Sequence, residues 1–240
     1  MNADNRLIVA IDVHTMEKVQ QLIEALGDKV SYYKVGMELF YSVGNEVITY
    51  LNKQGKSIFL DLKLHDIPNT VGQSLAALTE LKGISMLNVH ATGGPTMMAV
   101  AAQAVKNKAK SLGIEPPKLI AVTVLTSMSA TEWADLGYGK ELLAQVVHLA
   151  KLAKSAGLDG VVASPQEAAM IRAACGEDFI IVTPGIRPSG AAINDQSRIA
   201  TPAGALANGA SHLVIGRPIT AAEHPQQAVQ AILQEMRERA

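Results

Sequence analysis

Compact apolar runs alternate with longer stretches in which apolar residues recur three and four positions apart, and the alternation continues along the whole chain. The compact runs predict buried strands over residues 7–11, 32–35, 57–62, 86–90, 119–125, 160–163, 179–183 and 212–215. The spaced stretches predict helices near 15–26, 38–52, 69–81, 95–112, 140–156, 166–174, 201–208 and 221–239. Eight strand-then-helix units in this length predict an α/β fold, a single (β/α)8 TIM barrel with its site at the carboxyl ends of the strands. No linker, charge run or low-complexity segment interrupts the pattern, so residues 1–240 read as one domain.

Composition narrows the classes. The chain has 240 residues, 48% of them hydrophobic, and a formal net charge of -1. That supports one sizeable core and offers no general nucleic-acid or membrane surface. The single cysteine, Cys175, excludes an intrachain disulfide and suits a reducing compartment. No apolar run approaches the ~18 residues of a membrane span. The first residues, Met-Asn-Ala-Asp-Asn-Arg, lack a signal-peptide pattern. A soluble cytoplasmic protein is expected.

The charges that matter sit where apolar strands stop. In Ser57-Ile-Phe-Leu-Asp61-Leu-Lys63-Leu-His-Asp66-Ile-Pro68-Asn-Thr70, strand alternation puts Asp61 and Lys63 on one side. Asp66 lies just beyond, and Pro68 suits the first turn of a helix. Two carboxylates are thus expected to flank one ammonium. A surface ion pair is the plain alternative, but Ile58, Phe59, Leu60, Leu62 and Leu64 imply a strand covered on both faces, where charge is costly. Lys34 stands inside the apolar run Tyr32-Tyr33-Lys34-Val35-Gly36 and needs a partner, for which Asp61 is the candidate. Asp12 follows the first strand and suits either a ligand or a helix cap. His90 and Thr92 end the fourth strand, where a lone histidine is more often a satisfied core group. Thr126 and Ser127 end the fifth and suit a ligand or a turn cap about equally.

Two further stretches suggest anion binding. The longest irregular segment, Thr183-Pro-Gly185-Ile-Arg187-Pro-Ser-Gly190 through Asp195-Gln196-Ser197-Arg198, reads as a lid carrying Arg187 and Gln196, or as a variable surface loop. Near the end, Gly216-Arg217-Pro218-Ile219 combines a glycine that lets backbone N–H groups approach an anion, a bidentate donor and a helix-opening proline. Phosphate sites in such barrels commonly follow strands seven and eight. No Walker loop, dinucleotide fingerprint or Cys/His metal motif appears.

Taken together these motifs resemble the bacterial-type orotidine 5′-phosphate decarboxylase family. The resemblance spans essentially the whole chain, from Ile-Val-Ala-Ile-Asp12 through Tyr-Lys34-Val-Gly, Asp61-Leu-Lys63-Leu-His-Asp66-Ile-Pro-Asn-Thr70, Val-Leu-Thr126-Ser127, Thr-Pro-Gly185-Ile-Arg187 and Gly216-Arg217-Pro-Ile. It implies decarboxylation of orotidine 5′-monophosphate to uridine 5′-monophosphate and CO2 without metal or organic cofactor. It implies that Lys63 donates the proton, that Asp12 binds ribose, and that Lys34 bridges ribose and Asp61. Ser127 and Thr126 are implied beside the pyrimidine, and Gln196, Gly216, Arg217 and Arg187 at or near the phosphate. It further implies a homodimer in which Asp66 and Thr70 reach the neighbouring site. The competing expectation is a metal-dependent sugar-phosphate lyase or decarboxylase of the same barrel group. Those relatives share Asp-x-Lys-x-x-Asp but need an acidic metal ligand near the end of strand two, where this chain has Lys34.

Overall fold

A computed structural model describes residues 3–139, 141–188 and 200–237. Its strands are β1 (Leu7–Ile11), β2 (Tyr32–Gly36), β3 (Ser57–Leu64), β4 (Ile84–His90), β5 (Lys118–Val122), β6 (Gly160–Val162), β7 (Ile180–Thr183) and β8 (His212–Ile215). They pair in sequence order, all parallel, and β8 closes on β1 with Leu7 opposite Leu213. The helices are α1 (Met16–Leu26), α2 (Met37–Val43), α3 (Glu46–Lys53), α4 (Pro68–Thr79), α5 (Gly94–Leu112), α6 (Ala130–Asp135), α7 (Leu142–Ser155), α8 (Ala168–Cys175), α9 (Pro202–Ala207), α10 (Arg217–Thr220) and α11 (Pro225–Arg237). The predicted α/β barrel is the observed one.

The core has two parts. Helices bury one stripe each against the outside of the barrel: Val19, Leu22, Ile23 and Leu26 from α1, and Val229, Ile232, Leu233 and Met236 from α11. Inside the barrel, Ile8, Ala10, Tyr32, Phe59, Met86, Ile120, Val182 and Val214 fill the lumen. Inward positions recur every second residue. One step further along β2, β3 and β4, the inward side chains are therefore Lys34, Asp61 and Asn88, at the carboxyl ends.

Several boundaries differ from expectation. The helix expected over 38–52 is two, because Gly44 takes φ +60 and caps α2. β5 stops at Val122, since β6 ends at Val162 and offers no further ladder partner. Thr123 makes the last bonds to that strand, its N–H and its hydroxyl both donating to the Val162 carbonyl. The next segment then enters α6 through Ser129, whose hydroxyl accepts from Glu132 N–H while Glu132 reaches back. The closing helix starts at Pro225 rather than near 221, as a proline disfavours helical backbone in the residue before it.

Candidate active site

At the carboxyl ends of β1 to β3, four side chains form a row of alternating charge. Lys34 Nζ lies 3.3 Å from Asp12 Oδ1 and 3.6 Å from Asp61 Oδ2, and Lys63 Nζ lies 2.8 Å from Asp61 Oδ1. Asp61 is the buried member, with 8% of its surface exposed. Burial pushes its carboxyl upward, but Lys34, then Lys63 and the hydrogen bonds from Lys63 and Asn88, outweigh it and hold the group below the usual carboxylate value. Asp61 is therefore an anion locked between two cations.

Two glycines make room for this row. A Cβ on Gly36 would stand 2.9 Å from Lys34 Nζ, and one on Gly216 would stand 3.2 Å from Asp12 Oδ2. At both places φ is negative, and what a methyl would disturb is the position of a charged side-chain end in the row.

Lys63 meets Asp61, but simple alternation is not the reason. The β3–β4 ladder steps from Leu60 opposite Leu87 to Leu64 opposite Val89. Lys63 crosses the gap at φ +53, the one described non-glycine residue with positive φ. Beside it, the rings of His65 and His90 lie 5.5 Å apart. Burial, then His65 and Lys63, lower the His90 pKa against the pull of Asp61, so its ring favours the neutral form.

A cavity of about 140 Å³ opens next to the row, lined by Ala10, Asp12, Lys34, Pro184, Gly185, Arg187, Val214, Gly216 and Arg217. Three cations and one carboxylate give its wall a positive balance suited to a phosphate. Arg187, expected in a closing loop, is 7% exposed; its Nη1 donates to the Ile186 carbonyl and its N–H to the Ala200 carbonyl. The helix expected after Gly216 is only the four residues of α10, so its dipole contributes little and the donor side chains dominate. A larger cavity, about 490 Å³, lies on the outer surface between α4 and α5, away from the charged row.

The protein-family model for orotidine 5′-phosphate decarboxylase / HUMPS matches residues 5–232. The chain belongs to that family. It is 49% identical over 234 residues to the orotidine 5′-phosphate decarboxylase of Trichlorobacter lovleyi, covering 98% of this chain and 96% of that protein. It is 50% identical over 231 residues to that of Carboxydothermus hydrogenoformans, covering 96% and 95%. The crystal structure of orotidine 5′-phosphate decarboxylase from Lactobacillus acidophilus superposes with a TM-score of 0.86 at 43% identity, covering 98% and 100%.

Within this family frame, the remaining expected residues fall in three places. Thr126 and Ser127 lie in a turn beyond β5 rather than at its end, Thr126 half-buried and Ser127 exposed. Asp66 and Thr70 are exposed at the start of α4. Asp66 does not flank Lys63 within this chain; the turn into α4 carries it outward, and its Oδ1 accepts from Ile67 N–H at 2.6 Å. Gln196 lies outside the described residues. Among the described residues no group of three or more His, Cys, Asp and Glu side chains gathers as a metal site would require. Sequence reasoning missed Asn88, which is fully buried. Its signal was an amide inside the apolar run Met86-Leu-Asn-Val, at the inward parity of β4.

Proposed function

We propose that the charged row performs the decarboxylation of orotidine 5′-monophosphate, with Lys63 as the group that meets the reacting carbon. The reaction yields uridine 5′-monophosphate and CO2 in pyrimidine biosynthesis. Loss of CO2 leaves an electron pair on C6 of the pyrimidine, with no ring position able to absorb it. An ammonium fixed beside that carbon stabilises the developing anion and then donates its proton, so C–C cleavage and C–H formation balance without metal or organic cofactor. The observation that carries this reading is the 2.8 Å pair of Lys63 with buried Asp61, itself tied to Lys34. Asp61 keeps the ammonium in place, and Lys34 with Asp12 holds ribose hydroxyls. Arg187, Gln196, Gly216 and Arg217 grip the phosphate, and Thr126 and Ser127 face the pyrimidine. Phosphate binding far from the reacting carbon then positions the base.

The second acid beside Lys63 comes from another copy of the chain in this reading. Asp66 and Thr70 face outward, next to Ile67 at 66% exposure, an apolar side chain that a homodimer would cover. The cytoplasm is the compartment we assign, on the strength of a lone buried thiol, Cys175, which suits reducing surroundings.

The test follows the fall in ultraviolet absorbance of orotidine monophosphate with wild-type protein and Lys63→Ala. The variant should bind uridine monophosphate as the wild type does and turn over at least about 10⁴-fold more slowly, the combined loss of acid and electrostatic help. Equal turnover would remove Lys63 from the chemistry.

A further inference from the structure

β3 spends three residues, Asp61, Leu62 and Lys63, over a stretch where β4 supplies one, Asn88, between the pairs Leu60–Leu87 and Leu64–Val89. Such a surplus deprives the bulged strand of ladder partners, and those backbone groups must find others. Asn88 supplies one such partner with its amide oxygen, and with its amide nitrogen it reaches a side chain of the same arch. Its Oδ1 accepts from Lys63 N–H at 2.8 Å, and its Nδ2 donates to Asp61 Oδ1 at 2.6 Å. It is 0% exposed, so neither bond competes with solvent. The residue it holds by the main chain is the one in left-handed conformation, which a lysine adopts only where its surroundings over-determine it. One side chain thus sets both the backbone of the ammonium-bearing residue and the orientation of its counter-ion.

We infer that Asn88 is a positioning residue for decarboxylation: it locks the β3 arch that presents Lys63 and turns Asp61 between the two ammonium groups. The inference rests on the proton-donor role given to Lys63 above. Asparagine suits the position because it is the shortest side chain with an acceptor and a donor on one rigid plane. A carboxylate would keep the bond to Lys63 N–H but oppose Asp61, and an aliphatic chain would abandon both.

The test uses Asn88→Leu and Asn88→Asp in the full chain. It reads kcat and KM for orotidine monophosphate, the pH–rate profile, calorimetric affinity for uridine monophosphate and the thermal midpoint. Asn88→Leu should lower kcat by roughly 10²-fold, as a displacement of about 1 Å does. KM and nucleotide affinity should stay within about threefold of wild type, the pattern of a loss felt in the transition state. Asn88→Asp should lose activity similarly at neutral pH and regain part of it as pH falls, because a protonated carboxyl can again donate to Asp61. The groups facing that position are Asp61, Lys63 and His65 from the β3 side, Lys34 behind Asp61, and His90 on its own strand. If Asn88→Leu does not fold, the near-isosteric Asn88→Asp profile decides. A lower thermal midpoint with wild-type kcat and pH profile in both variants overturns the inference. Wild-type protein that binds uridine monophosphate yet leaves orotidine monophosphate unchanged overturns instead the reading beneath it.

Discussion

Replacing Lys34 with methionine removes the ammonium between two carboxylates while keeping the reach of the side chain. The contact that counts is with Asp61, 3.6 Å away and nearly closed to solvent. Asp12 has 53% of its side chain exposed, so its pair contributes at most about 1 kcal/mol. At 3.6 Å and an effective permittivity of about 20, attraction to Asp61 is roughly 5 kcal/mol. The desolvation that the half-buried lysine no longer undergoes offsets part of this, and Lys63 and Asn88 still hold Asp61. Breaking one side of a buried pair costs about 3–5 kcal/mol, so Lys34→Met should lose about 3 kcal/mol at neutral pH. The pH dependence has a definite sign. In the wild type the Asp61 carboxyl is held low, so its charge contributes stability above the ordinary unfolded carboxyl value, and that contribution disappears as pH falls through the lower folded value. Without Lys34, the upward push of burial meets less opposition and the folded value rises. The gap between variant and wild type should therefore narrow as Asp61 takes up its proton. Urea unfolding followed by the buried Trp133 at neutral pH and near pH ~4.5, where ordinary carboxyls begin to titrate, measures it. A loss below about 1 kcal/mol at neutral pH, or a gap that widens on acidification, refutes the reasoning.

Gly36→Ala places a methyl 2.9 Å from Lys34 Nζ, the movable end of a long side chain. It should change stability by less than about 1 kcal/mol yet lower turnover roughly 10²-fold, as comparison of melts with kinetics will show. Arg217→Ala should weaken uridine monophosphate binding by roughly 10²-fold, the worth of a charge-assisted phosphate contact, while uridine binds both proteins equally in calorimetry. Mixing inactive Asp66→Asn and Lys63→Ala chains should restore partial activity through hybrid dimers. Proven exchange of subunits without recovery would reject the shared site.

Much of this arrangement was legible because buried charge is conspicuous. Lys34 within Tyr-Tyr-Lys-Val-Gly and Asp61 after Ile-Phe-Leu each break an apolar run at the parity that points inward, so strand ends and candidate chemistry could be read together. Asn88 breaks its run in the same way but carries no charge, and its value depends on a register shift with a strand far away in sequence. The same shift makes Lys63 left-handed, which no local propensity announces. Strand five looked longer because Thr123-Val-Leu continues an apolar pattern; its end is decided by the brevity of β6. Gly44 and the Ser129–Glu132 capping box were readable signals that periodicity overrode. The outward turn of Asp66 is set by the turn into α4, where its carboxylate accepts from Ile67 N–H, and strand alternation does not extend that far.

The mouth of the barrel is divided by where its ions come from. The alternating row issues from the first three strands, whereas Arg187 and Arg217 follow the seventh and eighth, which meet the first only after the whole chain has wound around. On the proposed reading, reagent and handle thus occupy opposite ends of one polypeptide. On that reading Lys63 and Arg217 can be substituted separately, whereas Gly216, set against Asp12, is where a change to one half is felt by the other.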